Sequence, residues 1–387
     1  MIVGLVAMMA ISTDLYLPSL PAIARDLRVS VADTQLTLSA FLVGIAFGQL
    51  AMGPLSDRFG RRPVLAGGTL LYTLASIGCA FAASIDVLVA LRVAQAIGAC
   101  AGIVVGRAVL RDVHHGPQLA RTLALVASAM SVMPAVGPIL GGFVEASVGW
   151  RWNFAILTLF GGTLFAAVAL RLPETNAMRD PQALRPARIM SNFLGFLGSR
   201  SYMRYALATA FGYCALFSFI SGSSFVFIDV LGLRPQTYGF VFAFAVFGYF
   251  LGTRAAAMLV PRLGIDGTLS WSGLVMTLGG LAGLAVAATH VLAPGDATAP
   301  LLTLAVAIFT IGFGICIPTA QAGSIGPYPE KAGAASALLG FLQTACAAVV
   351  GALVGHFHDG TPVPMAASIA LASIASMLGF RLLAARK

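Results

Sequence analysis

Long apolar runs, separated by short polar segments, limit most strongly how this chain can fold. Twelve runs are each about 18 to 24 residues long, enough for a helix to cross the hydrocarbon core of a bilayer. Charged residues make up only 10% of the 387 residues, against about 25% in soluble domains. The sequence therefore predicts an all-α polytopic membrane protein with 12 transmembrane helices in two six-helix halves. The predicted spans are 1–18, 35–52, 64–82, 87–106, 121–143, 153–171, 205–228, 238–260, 268–288, 301–320, 333–355 and 364–383.

The basic residues predict the orientation of these spans. If both termini are cytoplasmic, eighteen of the 23 Lys and Arg residues face the cytoplasm, four face the opposite side, and Arg92 lies within a span. The net charge of +9 is then a topology signal, and no nucleic-acid partner is expected. We expect a monomer in the bacterial inner membrane, without a removable signal peptide. The first helix looks short at its cytoplasmic end, so a few residues are expected to precede it.

The longest polar connection predicts the domain boundaries. Residues 173–204 are rich in arginine and proline and separate an N-terminal half, 1–172, from a C-terminal half, 205–387. After the eighth span, Pro261-Arg-Leu-Gly264 is similar to a shorter stretch that ends at Gly60, 204 residues earlier. This echo favours an internal duplication.

The stretch Gly53-Pro-Leu-Ser-Asp-Arg-Phe-Gly-Arg-Arg-Pro63 is too charged to lie in lipid, and it predicts a loop of about ten residues at the water interface. We expect its two glycines to adopt unusual backbone conformations and its two prolines to fix the adjoining helix ends. The stretch resembles the pattern Gly-x-Leu-x-Asp-Arg-x-Gly-Arg-Arg-x-x-Leu of the major facilitator superfamily, where it follows the second helix. The alternative is a generic positive-inside loop, which requires arginines but neither the aspartate nor the glycines. The residues of this expected cytoplasmic gate motif are Gly53, Asp57, Arg58, Gly60, Arg61 and Arg62.

Asp14 and Arg92 are charged residues that lie inside predicted spans. A carboxylate in hydrocarbon is costly unless it is paired, hydrated or protonated, so Asp14 suggests a proton carrier. Arg92 lies at a similar predicted depth, which leaves pairing with Asp14 or competition for a shared partner as alternatives. Asp14 and Arg92 can also each be explained without a function in proton transfer. Asp14 would lie at the outer interface if Pro18 and Pro21 ended the helix, and Arg92 would extend outward to water.

The fifth span contains Met133-Pro-Ala-Val-Gly-Pro-Ile-Leu-Gly-Gly142, in which two prolines and two glycines each recur after one helical turn. This pattern predicts a helix that bends and allows close approach of a neighbour, and ordinary helix packing is the alternative. The segment resembles the antiporter motif of drug-exporting members of the superfamily, although Met133 stands where the fuller motif prefers glycine. The matching positions are Pro134, Gly137, Pro138, Gly141 and Gly142.

Further segments resemble the bicyclomycin and chloramphenicol resistance branch of drug/proton antiporters. The segments are Thr13 to Pro21, Arg92 to Gly98, Arg107 to Asp112, Gly149 to Phe154 and Leu172 to Thr175. The resemblance implies proton-driven efflux of small amphipathic drugs, a substrate site between the halves, and proton coupling through Asp14 and Arg92. Related exporters carry a second acid further along the first helix, where this chain has only Val and Ala. The residues expected to line the substrate cavity are Tyr16, Gln95, Tyr213, Phe217 and Ser221.

These observations favour alternating access, in which Asp14 exchanges protons for drug and the gate motif acts as a cytoplasmic latch. We expect Asp57 to contact a neighbouring arginine and a helix N-terminus. The chain has no Gly-Lys-Ser/Thr nucleotide-binding sequence, so no cofactor is expected and the proton gradient would supply the energy. One alternative is a proton-coupled transporter of an endogenous metabolite. The other is a membrane-embedded enzyme, for which the spans offer no cluster of catalytic groups.

Overall fold

The computed structural model describes residues 1–114, 116–176, 179–183, 193–328 and 331–384, which are almost entirely helical. They form two compact units, Met1–Pro186 and Ala187–Lys387. The helices of the first unit are α1 (Ile2–Asp14), α2 (Leu20–Leu27), α3 (Val31–Phe59), α4 (Arg61–Ala80), α5 (Ile85–Val113), α6 (Gly116–Val148) and α7 (Arg151–Arg171). Those of the second unit are α8 (Arg200–Ser224), α9 (Pro235–Leu292), α10 (Thr298–Ile325), α11 (Ala332–His356) and α12 (Val363–Ala384).

The lengths of these helices account for 12 membrane crossings. Ten helical stretches of the described residues are long and apolar enough to span a bilayer. One of them, Pro235–Leu292, has 58 residues and a backbone break at Gly264, so it provides two crossings. The remaining crossing is α6, in which Val132–Val148 is a continuous apolar helical stretch. The predicted all-α fold with 12 transmembrane helices is confirmed.

The first span is longer than predicted, and this places Asp14 at its centre. Helix α1 ends at Asp14, but a single turn of 3₁₀ helix over Leu17–Ser19 and then α2 extend the helical stretch to Leu27. Pro18 and Pro21 each lie within the first two positions of a new helical segment, where the missing N–H group costs no hydrogen bond. The prolines therefore do not end the helical stretch, and Asp14 lies near the midpoint of Ile2–Leu27.

The predicted loop at the gate motif is also wrong. Helix α3 continues through Pro54 to Phe59, and α4 begins at Arg61, so only Gly60 interrupts the helices. Gly53 is helical, whereas Gly60 has φ 105° and ψ 159°, a conformation open to glycine but strained for other residues. The charged residues do not need a loop, because a helix that extends past the bilayer exposes them to water.

The second unit repeats this break at the position that the sequence echo indicated. Gly264 lies 204 residues after Gly60 and has φ 68° and ψ 177°, while the residues on both sides are helical. Each unit thus contains two helices joined through one glycine of positive φ. The similarity of backbone conformation at equivalent positions supports the internal duplication.

The packing of the first unit brings three helices together around Asp14. Helix α5 lies at the centre, with α3, α4 and α1 packed against it, and α6 packs against α1. In the second unit, α8 packs against α10, α11 and α12. The stretch where α1 ends is therefore enclosed by α5 and α6, and the candidate site lies there.

Candidate functional site

Asp14 is a buried carboxylate near the middle of a membrane span. Its exposed fraction is 5%, and its Oδ1 atom accepts a hydrogen bond of 3.2 Å from the hydroxyl of the adjacent Thr13. No ion pair joins it to Arg92 or to another cation within the described ranges. An ionised carboxylate in such a place lacks the compensation that a cation or water would provide.

Helix α6 packs directly on Asp14 through the glycines of the antiporter-like segment. A Cβ atom at Gly137 would lie 2.8 Å from Cβ of Asp14, and one at Gly141 would overlap the carbonyl oxygen of Leu15. The glycines therefore allow the backbones of α6 and α1 to approach where α1 ends. Pro134 and Pro138 lie within α6, which is helical throughout Gly116–Val148.

Arg92 is completely buried and binds the turn of α1 that precedes Asp14. Its Nη1 atom donates to the carbonyl oxygen of Ser12 at 3.1 Å and to Oε1 of Gln95 at 2.6 Å. The Nε and Nη2 atoms have no acceptor among the described residues. One edge of the guanidinium thus fixes α5 to α1, while the edge suited to bind a carboxylate or another planar acceptor has no hydrogen-bond acceptor among the described residues.

Aromatic rings surround this buried cation. The guanidinium carbon of Arg92 lies 4.2 Å from the ring centre of Phe41, 4.4 Å from that of Tyr16 and 5.9 Å from that of Phe154. Tyr16 is held by a hydrogen bond of 2.6 Å between its hydroxyl and that of Thr37. Ring faces attract cations, so the cage offsets part of the cost of removing the guanidinium from water.

A chain of polar side chains fixes Gln95 and α1 on the other side. Gln95 donates to the hydroxyl of Ser76 at 2.8 Å, and Ser76 donates to the carbonyl of Tyr72. The hydroxyls of Tyr72 and Ser12 are 2.7 Å apart. Hydrogen bonds therefore link α4, α5 and α1 around Arg92, so the position of the cation is coupled to the turn that carries Asp14.

A second cluster of charges lies at the Gly60 break. Arg61 donates from Nη1 to Asp57 at 2.5 Å and from Nε to Asp112 at 2.9 Å, which ties the α3–α4 junction to α5. Arg62 donates to the carbonyl of Ala169 in α7 at 2.8 Å. Asp57 thus contacts a neighbouring arginine as expected, but the carboxylate on the N-terminus of α4 belongs to Glu174.

A family model described as Major Facilitator Superfamily matches residues 2–352. The chain belongs to the major facilitator superfamily. An uncharacterized transporter of this superfamily from Bacillus subtilis, YdgK, is 33% identical over 98% of this chain and 93% of its own length. A bicyclomycin resistance protein homolog from Haemophilus influenzae is 29% identical over 96% of this chain and 92% of its own. Both relatives match nearly the whole chain. As a member of this superfamily, the protein is a multi-pass membrane transporter.

A solved structure supports the same fold. The xylose transporter XylE from E. coli superposes with a TM-score of 0.72 over 98% of this chain and 96% of its own. The sequence identity is 13%, so this likeness concerns the major facilitator fold alone.

The structure groups the predicted site residues of this superfamily member by unit. Asp14, Tyr16, Arg92 and Gln95 lie together in the first unit. The other predicted cavity residues lie along α8 of the second unit. Tyr213 is half-buried, Phe217 is buried, and the buried Ser221 donates to the carbonyl of Gly351 in α11 at 3.3 Å. Their assignment to a substrate cavity stays a prediction.

Several residues of both clusters were not predicted. Ser12, Phe41 and Tyr72 build the surroundings of Arg92, but each is an unremarkable residue in an apolar run. Asp112 and Glu174 belong to segments that carried the resemblance to drug exporters, without an assigned task. Their contacts join residues 50 or more positions apart, which local sequence pattern does not reveal.

We expect Arg92→Lys to destabilise the protein by about 2 kcal/mol, because an ammonium group does not reproduce two fixed hydrogen bonds and planar contact with the rings. The measurement is unfolding of the purified protein in detergent. Arg171→Lys, at an exposed position in the last turn of α7, is the matched control and should leave stability within about 0.5 kcal/mol. Equal stability of the two variants would contradict an anchoring function of the guanidinium.

Proposed function

We propose that this transporter exports small amphipathic drugs of the chloramphenicol or bicyclomycin type in exchange for protons, by alternating access across the bacterial inner membrane. In this proposal the proton gradient is the energy source, no cofactor takes part, the protein acts as a monomer, and both termini are cytoplasmic. Asp14 is the group that exchanges the proton, and Arg92 is the cation that responds to it.

One observation carries the proposal. Asp14 is a buried carboxylate without a cation partner among the described residues, and it lies against the glycine face of α6. A group in this environment is favoured neutral while enclosed and charged when water reaches it. That behaviour is what a carrier of single protons requires, and the α6 segment in contact with it resembles the antiporter motif.

The relatives support the drug-export part of the proposal. One of them bears the name of a bicyclomycin resistance protein homolog, and its similarity covers nearly the whole chain. The aromatic surroundings of Arg92 also suit the planar or partly apolar bodies of such compounds.

Arg92 provides a physical link between the proton and the substrate. While Asp14 carries a proton, the free edge of Arg92 has no anion to attract it. When the proton leaves toward the cytoplasm, a negative charge appears two residues from Ser12, the backbone acceptor of Arg92. The resulting attraction draws the guanidinium toward Asp14 and changes the cage where a drug would bind.

Proton movement in inside-out membrane vesicles tests this function. A pH-sensitive dye in the lumen follows protons after respiration has acidified the interior, and a chloramphenicol-type, a bicyclomycin-type and a lipophilic cationic compound are added in turn. We expect the first two to cause proton release from vesicles that contain the protein. Vesicles without the protein, prepared from the same cells, are the control.

The possible results separate the proposal from its rival. Release evoked by a drug and absent from control vesicles supports antiport. If none of the three compounds moves protons, drug/proton exchange is contradicted, and a proton-coupled transporter of an endogenous metabolite becomes the better hypothesis.

A further inference from the structure

The segment that follows α7 is bound to the gate motif. Glu174, Asn176 and Asp180, which we term the linker clamp, all contact residues 56–62 at the Gly60 break. These residues belong to the connection that the sequence identified as the linker between the halves. The beginning of that connection is therefore a fixed part of the first unit.

Glu174 accepts hydrogen bonds from backbone N–H groups at the N-terminus of α4. Its Oε1 atom accepts the backbone N–H of Arg61 at 2.8 Å, and its Oε2 atom accepts that of Arg62 at 3.2 Å. These N–H groups have no partner within their own helix, and the helix dipole favours an anion at this end. A Cβ at Gly60 would overlap the carboxylate, so glycine is needed both for the backbone angle and for the approach of Glu174.

Glu174 remains ionised at neutral pH. Partial burial alone would raise the pKa of its carboxyl group, but the backbone N–H groups of Asn176, Arg61, Arg62 and Thr175 outweigh that effect and lower the pKa. The contact with α4 is accordingly a set of charge-assisted hydrogen bonds under cytoplasmic conditions.

The rest of the clamp binds the C-terminus of α3 and the charge cluster. The side-chain amide of Asn176 donates to the carbonyl oxygens of Ser56 at 3.3 Å and Asp57 at 3.1 Å, and the backbone N–H of Asp180 also donates to Asp57 O. The hydroxyl of Thr175 donates to Asp112 Oδ2, the atom that also accepts Arg61 Nε. The clamp thus contacts both helix ends at the break, and Thr175, which lies between Glu174 and Asn176, contacts the Asp112 carboxylate that pairs with Arg61.

A similar contact in the second unit lies near the beginning of α8. Arg204, the last residue of the predicted linker, lies in α8 and donates to Asp266 at 3.0 Å, and the hydroxyl of Tyr205 donates to the same carboxylate at 2.6 Å. Asp266 is the second residue after Gly264, the equivalent break. The first turns of α8 are therefore held beside the glycine break of the second unit, as the clamp is held beside that of the first unit.

We propose that Glu174 is a positioning residue of the transport cycle, which holds the Gly60 break and the Asp57–Arg61–Asp112 cluster in one geometry so that the linker and the gate motif move together. This inference rests on the proposed transport function. It assigns to Glu174 an effect on the rate of conformational change, exerted through Arg61, and no contact with substrate.

The test compares Glu174→Gln with Asp33→Asn in full-length protein. Asp33 is also an acid at a helix start, where it forms a capping box with Ser30, the N-cap of α3, and among the described residues it forms no hydrogen bond with the gate motif. In proteoliposomes that take up chloramphenicol in response to a pH gradient, Glu174→Gln should lower kcat about tenfold and leave KM unchanged. Asp33→Asn should retain the wild-type kcat, because a general loss of helix capping does not affect the gate.

A double variant establishes the route of the effect. Gly60→Ala disrupts the same contact from the opposite side, so Glu174→Gln should add little to the loss of kcat in Gly60→Ala. Additive losses would show that Glu174 acts elsewhere and would overturn the inference. If active Glu174→Gln protein retained the wild-type kcat, that result would also overturn the inference.

Hydrogen exchange keeps this inference separate from the proposed function. In detergent, the amides of Arg61 and Arg62 should exchange about tenfold faster in Glu174→Gln than in Asp33→Asn, whether or not chloramphenicol is a substrate. Wild-type protein without chloramphenicol uptake contradicts the proposed function, while unchanged amide exchange contradicts the positioning by Glu174.

Discussion

Asp14→Asn is expected to abolish drug-evoked proton release, leaving less than about one hundredth of the wild-type rate. Asparagine has almost the same shape as aspartate, and its amide oxygen can still accept the hydroxyl of Thr13, so the packing against Gly137 is retained. It does not titrate, and the charge that would attract Arg92 never forms. The measurement is the lumenal pH signal in inside-out vesicles, normalised to the amount of folded protein.

The matched control for this variant is Asp86→Asn. Asp86 is exposed in the first turn of α5 and is also neutralised without change of size. It should retain proton release within about twofold of wild type, since exposed charges have small effects. If Asp14→Asn also retained the wild-type signal, the exchanged proton would have to be carried by another group.

Local sequence pattern predicted the elements of this fold because the bilayer imposes a simple rule on helix length. It correctly indicated 12 crossings, and the sequence echo marked the position at which the structure repeats the Gly60 break. It failed at the ends of helices, where the rule no longer applies. Helix α3 continues to Phe59 through charged residues. Outside the bilayer, a helix satisfies its backbone hydrogen bonds as a loop would through water, and its charged side chains remain hydrated.

The candidate site was predictable in its charged residues but not in its contacts. A carboxylate and a guanidinium inside apolar runs were evident, yet depth along each helix did not reveal that Arg92 binds the carbonyl of Ser12 and not Asp14. A long side chain reaches several ångströms along or across helices. Glu174 was not predicted for a different reason, because its contact with Arg61 joins residues 113 positions apart.

Gly141→Ala is expected to lower the unfolding temperature of the purified protein by at least about 5 °C, with a corresponding loss of folded yield. The added Cβ would overlap the carbonyl oxygen of Leu15, which belongs to the backbone and has no alternative rotamer. Helix α6 must then move away from α1 and lose packing along the contact. The measurement is thermal unfolding in detergent, followed by size-exclusion chromatography of the remaining folded fraction.

Two further alanine variants distinguish close helix approach from a general effect of replacing glycine. Gly67 lies in α4 with nothing within 4 Å of an added Cβ, so Gly67→Ala should be neutral or more stable by up to about 1 kcal/mol. Gly137→Ala should have an intermediate effect, because its Cβ would meet the side chain of Asp14 at 2.8 Å. If Gly141→Ala were as stable as Gly67→Ala, α6 and α1 could not be in close backbone contact. The glycines would then not hold α6 against Asp14, and the structural link between the antiporter-like segment and the proposed proton carrier would be lost.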